Sequence, residues 1–521
     1  MDTNKIKAII LAAVAIFVAI YLGTDAATAQ FEAIAWLLGG LTFVMCLFLG
    51  RKIWLLIPFL SAVGLTFQIP GNPSSLLIAQ ILVPPFCTLL FLMRRLPFKF
   101  AWTELEFWVL IITLFVAQVY IRNPVGLNLF GGNTVGGKAY VLYVISLTSC
   151  FLLVGLRVKP GELKWILRLS IVGSLLNTLV SALGLVFPLL AYYTGGNVRS
   201  FSSYDNQVTD SRAATRVGFL SVFGSSAALW ISAYISPLRA CFRPLWAILL
   251  LLAIAASLAS GFRSGLATVG FTLLLGILYR NGFVGLLLAS CGAGAALASL
   301  AVVNLLHPLP PNIQRSLTFL PGTWEERYKA DAEGSTEWRV EIWREVLLTD
   351  RWIRNKWLGD GLGFSASELA IQQNLNESKN NAMGISGFDA HRESILANGD
   401  YHSGPVSTIR VIGYVGLAFF LLAQIRLAVH AHRQIKRSRG TEWLPLALFV
   451  GIPLIATPLF FVFIFGDFRR GAVLYLISVG MVRLLENNLP LPAYVKSRRA
   501  HTPLPLPSHT LHVKSRVVTS E

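Results

Sequence analysis

Apolar runs of about twenty residues recur along almost the whole chain, and no other feature restricts its fold as strongly. Lipid offers a backbone N–H or C=O no hydrogen-bond partner, so a crossing segment must satisfy its own groups, which a helix of roughly 20 mostly apolar residues does. Such runs lie near 6–22, 33–50, 53–70, 75–93, 105–121, 139–156, 165–190, 215–235, 244–261, 265–280, 283–305, 405–428, 444–466 and 470–486. The expected fold class is therefore an all-α polytopic membrane protein with about 12–14 transmembrane helices. Composition agrees: of 521 residues 55% are hydrophobic and 13% charged, and the mean hydropathy is +0.62, where soluble domains carry about 25% charged residues.

Two local features qualify the pattern. Pro84-Pro85 is expected to kink or split the fourth run. Lys5 and Lys7 before the first run and Ala27-Thr28-Ala29 after it also suit a signal peptide. An uncleaved first helix is the preferred expectation, and cleavage would leave the downstream orientation unchanged.

The net charge of +18 raises the question of nucleic acid, and its distribution answers it. With the amino terminus in the cytoplasm, Arg51/Lys52, Arg94/Arg95/Lys99, Arg157/Lys159/Lys164, Arg239/Arg243, Arg280, Arg433/Lys436/Arg437/Arg439 and the tail residues Lys496, Arg498 and Arg499 all fall on one side. This is the positive-inside pattern; the partner it implies is a bilayer, not a nucleic acid. Cys46, Cys87, Cys150, Cys241 and Cys291 show no metal-ligand spacing, so neither disulfides, metal nor cofactor is expected.

One segment breaks the rhythm of short turns. About a hundred residues, 306–404, separate the eleventh and twelfth runs and by alternation face outward. Loops that long in compact proteins are functional or disordered. Trp324, Trp338, Trp343, Trp352 and Trp357 within it oppose disorder. The stretch "STEWRVEIWREVLLTD" predicts an amphipathic helix with Ser335 as N-cap. Val340, Trp343, Val346 and Leu347 would share one face, with Glu341, Arg344 and Glu345 opposite. Arg339 falls on the apolar stripe, where a guanidinium needs a partner. "GDGLGF" at 359–364 lacks the strand and helix of a nucleotide-binding loop and is read as a tight turn. Asn376-Glu377-Ser378 fits a glycosylation acceptor. After 487 a basic, proline-rich tail suits a flexible cytoplasmic segment.

Topology narrows the groups able to do chemistry. Of eight histidines only His307, His391 and His402 face outward. His402, in "NGDYHSGPVSTIRVIGYVGLAFF", sits at the mouth of the twelfth run, where an imidazole can accept a proton from an alcohol or simply satisfy an interfacial hydrogen bond. His391 reads as a solvated loop residue. Arg216, Arg263 (in "SGFRSG") and Arg339 are outward arginines at one membrane face. Singly, each can snorkel or pair; together, guanidinium forks suit a lipid diphosphate. "GDFRR", with Arg469 and Arg470, reads as an outward turn.

These pieces, "ASGFRSGLATVGFTLLL", then a loop with "WRVEIWREVLL" and "WLGDGLGF", then "DYHSGPVSTIRVIGYVGLAFF", resemble the shared domain of O-antigen ligases and related polysaccharide polymerases over residues 210–425. On that likeness 1–209 are amino-terminal transmembrane helices, 426–486 carboxy-terminal ones and 487–521 the tail. The resemblance implies a metal-independent, inverting glycosyltransferase of the bacterial inner membrane with a periplasmic active face. Its donor would be an undecaprenyl-diphosphate-linked glycan and its acceptor another glycan, lipid A core or protein. It further implies His402 as general base and Arg216, Arg263 and Arg339 as diphosphate ligands; apart from the resemblance, Tyr401, Trp343, Arg469 and Arg470 are candidate substrate contacts. The family commonly has asparagine after the histidine, where this chain has Ser403. A rival expectation from another class is a transporter or flippase of lipid-linked sugars, which would place functional charges near the midplane of paired, interrupted helices.

Overall fold

The computed structural model describes residues 49–68, 72–125, 137–194, 216–363, 392–393, 395–397, 399 and 401–490. The expected span 6–22, nearly all of 33–50, Cys46, Asn376, His391 and the tail lie outside these. In chain order, a 3-10 turn Gly50–Leu55 leads into α1 (Leu56–Val63), followed by α2 (Ser75–Leu92), α3 (Glu104–Arg122), α4 (Lys138–Gly155), α5 (Pro160–Val186) and α6 (Pro188–Thr194). Next come α7 (Gly218–Tyr234), α8 (Pro237–Ala240), α9 (Pro244–Ala259) and α10 (Arg263–Leu306). The long loop contributes α11 (Pro311–Leu317) and α12 (Glu326–Leu348), and α13 (Gly404–Arg437), α14 (Leu444–Phe463) and α15 (Phe468–Asn488) complete the bundle. Among the described residues the only β pairing is two isolated bridges, Thr66 with Ser74 and Phe98 with Leu156.

Seven helices among the described residues, α2, α3, α4, α5, α10, α13 and α14, are long and apolar enough to cross a membrane, and the chain is an all-α, multi-pass membrane protein. α7 and α9 are apolar but shorter. α15 has the length of a span but carries Arg469, Arg470, Arg483 and Glu486. Two sequence expectations are corrected. The run 53–70 is not a membrane-length helix, because Gly64 enters the left-handed region at φ 58 and ends α1 after eight residues. Helix α2 is not split at Pro84 and Pro85 but continues through both, as membrane helices tolerate when other groups take up the freed backbone. Runs 265–280 and 283–305 are, as expected, two helical segments, the two parts of α10 that meet at Gly282, where φ 76 and ψ −168 leave the helical region.

The discontinuity that shapes the loop is in α13, whose backbone leaves the helical region at Gly413 (φ 74, ψ 179). An unbroken helix would pair the Tyr414 N–H with the Arg410 carbonyl and the Val415 N–H with that of Val411. The break separates these partners, and the strap 356–361 takes all four: Tyr414 and Val415 donate to the Lys356 and Trp357 carbonyls at 2.8 and 3.4 Å, and Asp360 and Gly361 donate to the Arg410 and Val411 carbonyls at 2.6 and 3.1 Å. "GDGLGF" is thus the expected tight turn, with Gly359 and Gly361 at φ 81 and 110. The Asp360 carboxylate steadies it by accepting from the Arg354 and Asn355 N–H groups. Arg122, at the end of α3, donates to the Leu358 and Gly359 carbonyls. A Cβ at Gly413 would overlap the Trp357 carbonyl, and one at Gly359 that of Val411.

At the opposite, basic end a buried ion network joins α3, α13 and α15. Arg483 donates to Glu106 at 2.6 Å and to Glu486 at 2.7 Å, and His430 Nδ1 lies 2.8 Å from Glu486. Glu106 is also the capping-box partner of Thr103 at the start of α3.

Two expected outcomes follow from the packing. Gly413→Ala combines a left-handed φ with backbone overlap and destabilises by about 3 kcal/mol or more, read as a lowered melting temperature in detergent. Arg483→Met takes the guanidinium from the buried Glu106 and the partly buried Glu486 and costs about 3 kcal/mol in the same measurement, although it lies far from the loop.

Candidate functional site

Helix α12 begins at Glu326, nine residues before the expected N-cap Ser335, which lies within it. The preceding "ERYKADAEG" is rich in Ala, Glu and Lys, and helix propensity carries the helix back through it. Its buried face is set by Ile342 and Val346, which pack with Leu396, Tyr401, Val406 and Ile409. Val340, expected on that face, is exposed, because the stripe runs through 339, 342 and 346 and not through 340. Glu345, expected to be solvated, accepts from Trp352 Nε1 at 2.7 Å and pairs with Arg392 at 2.9 Å. The apolar face therefore seats α12 on the first part of α13.

That seating carries Arg339, half-buried, to a cationic neighbourhood. Burial lowers the Arg339 pKa, and the Arg263 and Arg315 guanidiniums lower it further. Arg339 itself makes no hydrogen bond or ion pair with any described residue. Arg263, the first residue of α10, approaches the Thr336 hydroxyl of α12 at 3.5 Å. Arg315 is buried and donates to the Gly261 carbonyl at 2.6 Å, while Asn312 and Ser316, also on α11, bond the Ala259 and Leu258 carbonyls. Helix α11 thereby holds the turn that presents Arg263. The backbone of Arg216 lies beside this turn, since the Val217 N–H donates to the Ser260 carbonyl at 3.0 Å.

The same helix reaches His402. Trp338, next to Arg339, packs its indole against the imidazole with centroids 5.6 Å apart, and Phe465 lies 5.7 Å away on another side. Trp343 Nε1 donates to the Tyr401 carbonyl at 2.8 Å. His402 has φ 50, a left-handed conformation that costs an L-residue about 1–2 kcal/mol. Flanking bonds hold it there: Trp343 on one side and Ser403 on the other, where the serine is the N-cap of α13 and accepts from the Val406 N–H. Ser403 thus does what an asparagine there would do, as the two residues cap helices about equally well.

Other expected contacts fall differently. Tyr401 is corrected from a substrate contact to a buried residue with 1% exposure, its hydroxyl accepting from Arg410 Nη1 at 3.3 Å. Burial raises its pKa, and the Arg410 and Arg469 cations oppose that rise. Arg469 thus lies in the neighbourhood of Tyr401 and of Tyr140. Arg470 is exposed, and its N–H donates to Asp467, the N-cap of α15. Trp343 serves the backbone of the His402 turn. His307 is exposed at the end of α10. Among the described residues no group of His, Cys, Asp and Glu side chains could hold a metal ion.

Sequence reasoning missed Arg315, Trp338 and Phe465. The one local signal for Arg315 was Pro311, a first-turn proline opening a short helix that carries the arginine. A cavity of about 240 Å³ between α7, α10 and α14 has Ser264, next to Arg263, and Phe465, against His402, in its wall. The chain matches no known family model and no curated protein.

The left-handed turn yields a test of its own. At φ 50 glycine is favoured over alanine by about 1 kcal/mol, so His402→Gly melts at a higher temperature than His402→Ala. Any other residue outside the left-handed region would show the reverse or no difference.

Proposed function

We propose that the chain transfers a glycan from a polyprenyl-diphosphate carrier to an acceptor hydroxyl at the membrane face bearing the long loop, as an inverting glycosyltransferase of the O-antigen ligase or polymerase type in the bacterial inner membrane. The observation that carries this reading is that one helix, α12, holds Arg339 beside Arg263 and Arg315 and packs Trp338 against His402. Three guanidiniums held together at a partly buried site repel one another. Guanidinium forks gathered in this way suit an anion with several acceptor oxygens, and a diphosphate is such an anion.

In the reaction the acceptor oxygen attacks the anomeric carbon as the bond from that carbon to the phosphate oxygen breaks. The electron pair leaves on the diphosphate, whose growing charge the arginines stabilise. The hydroxyl proton passes to His402. Attack opposite the leaving group inverts the anomeric centre. Acceptors of the ligase type, lipid A core or protein, and of the polymerase type, another glycan, use the same chemistry.

The rival reading, a flippase of lipid-linked sugars, draws on the interrupted helix α13, a feature of transporters. Here the groups released at Gly413 are occupied by the protein's own strap, which leaves them unavailable to a cargo.

For the test, purified protein in liposomes receives a lipid-linked glycan and an acceptor. Arg339→Ala and His402→Ala are each expected to lower transfer by about 10²-fold or more, and undiminished transfer by both overturns the assignment. Glycan crossing the bilayer without being transferred would favour the flippase.

A further inference from the structure

The cavity between α7, α10 and α14 has two unlike walls. Ser221 and Ser225 lie one turn apart on α7, and Ser264 and Thr268 one turn apart on α10; facing them are Phe460, Ile464 and Phe465. Its lining includes Ser264, the residue after Arg263, and Phe465, whose ring lies 5.7 Å from the His402 imidazole.

Serine and threonine between membrane helices often act as interhelical glue, and the α7–α10 contact contains one such pair, Ser232 donating to the Thr272 carbonyl at 3.2 Å. The four cavity hydroxyls make no such cross-bond. Ser225 donates to Val222 at 3.0 Å and Thr268 to Ser264 at 2.8 Å, each within its own helix. Ser221 and Ser264 bond no described residue through their hydroxyls.

The bonding decides what can fill the space. Ser225 and Thr268 have committed their hydrogens and turn only lone pairs to the cavity, while Ser221 and Ser264 can donate or accept. An alkyl chain would leave the Ser221 and Ser264 hydroxyls without a hydrogen bond, at a cost. A phosphate, which only accepts, would face lone pairs at two of the four. A polyol can donate to all four, and the C–H face of a sugar ring suits the aromatic wall opposite. The volume equals the share of roughly eight waters, enough for one ring.

Resting on the transfer reaction above, we propose that this cavity binds the single sugar ring joined directly to the carrier's diphosphate. With the diphosphate on the arginines, the anomeric carbon then lies between Arg263 and the imidazole beside Phe465. The cavity is the specificity pocket for the first donor sugar.

The test measures binding of farnesyl diphosphate and of its glucose, galactose, N-acetylglucosamine and N-acetylgalactosamine conjugates to the full-length protein in detergent. At least one conjugate is expected to bind more tightly than farnesyl diphosphate, by about fivefold per hydrogen bond gained. Thr268→Val should reduce that gain and Ser225→Leu, which removes a hydroxyl and pushes an apolar side chain into the space a ring would occupy, abolish it, both leaving farnesyl diphosphate binding and melting temperature unchanged. The proposal is overturned if no conjugate gains, if the gain survives Ser225→Leu, or if Ser225→Leu weakens farnesyl diphosphate equally, which would make the cavity an isoprenoid site. Arg339→Ala separates the two levels. If it leaves farnesyl diphosphate binding intact, the diphosphate assignment fails, whereas a loss there with no sugar gain in the wild type condemns the sugar pocket alone.

Discussion

A helix can break inside an apolar bundle only where other groups take up the backbone it releases, and in this protein the break at Gly413 is met by four hydrogen bonds from residues 356–361. The rest of the loop is organised from there. Because the strap is tied to α13 and, through Arg122, to the end of α3, the chain on either side of it has fixed anchors. Helix α12 precedes the strap and lays Ile342 and Val346 on the first turns of α13. Everything proposed to be catalytic depends on that seating: Arg339 and Trp338 are adjacent residues on α12, one turned towards Arg263 and Arg315 and the other towards His402.

The site is costly in two ways. Three arginines share one neighbourhood, and the histidine sits in a left-handed conformation. Both costs are met by bonds outside the chemistry: α11 fastens the Arg263 turn through Gly261, Ala259 and Leu258, and Trp343 with Ser403 brackets His402. Strain and like charge held in place by surrounding structure are a common property of functional sites. Elsewhere in the bundle Arg483 is held by Glu106 and Glu486 in a buried network that joins helices.

Several features were legible before the structure because they depend on local chemistry. Apolar run length marked most of the helices, glycine spacing marked the 359–361 turn, and an arginine on an apolar stripe marked Arg339. Ser335 misled, since a capping residue followed by Glu is only a local preference and the helix-favouring stretch before it prevailed. Tyr401 misled for another reason: nothing in "GDYHSG" tells that its hydroxyl turns inward to Arg410 nine residues later.

By itself the sequence determined that this is an all-α membrane protein and which apolar segments recur, because hydropathy acts residue by residue. Only the tertiary structure decided that Arg315 joins Arg263 and Arg339, that Trp338 and Phe465 flank His402, that α13 breaks at Gly413, and that four hydroxyls face an aromatic wall. These relations join elements tens of residues apart. They exist because packing and backbone satisfaction must be solved for the whole bundle at once, and no local pattern records that solution.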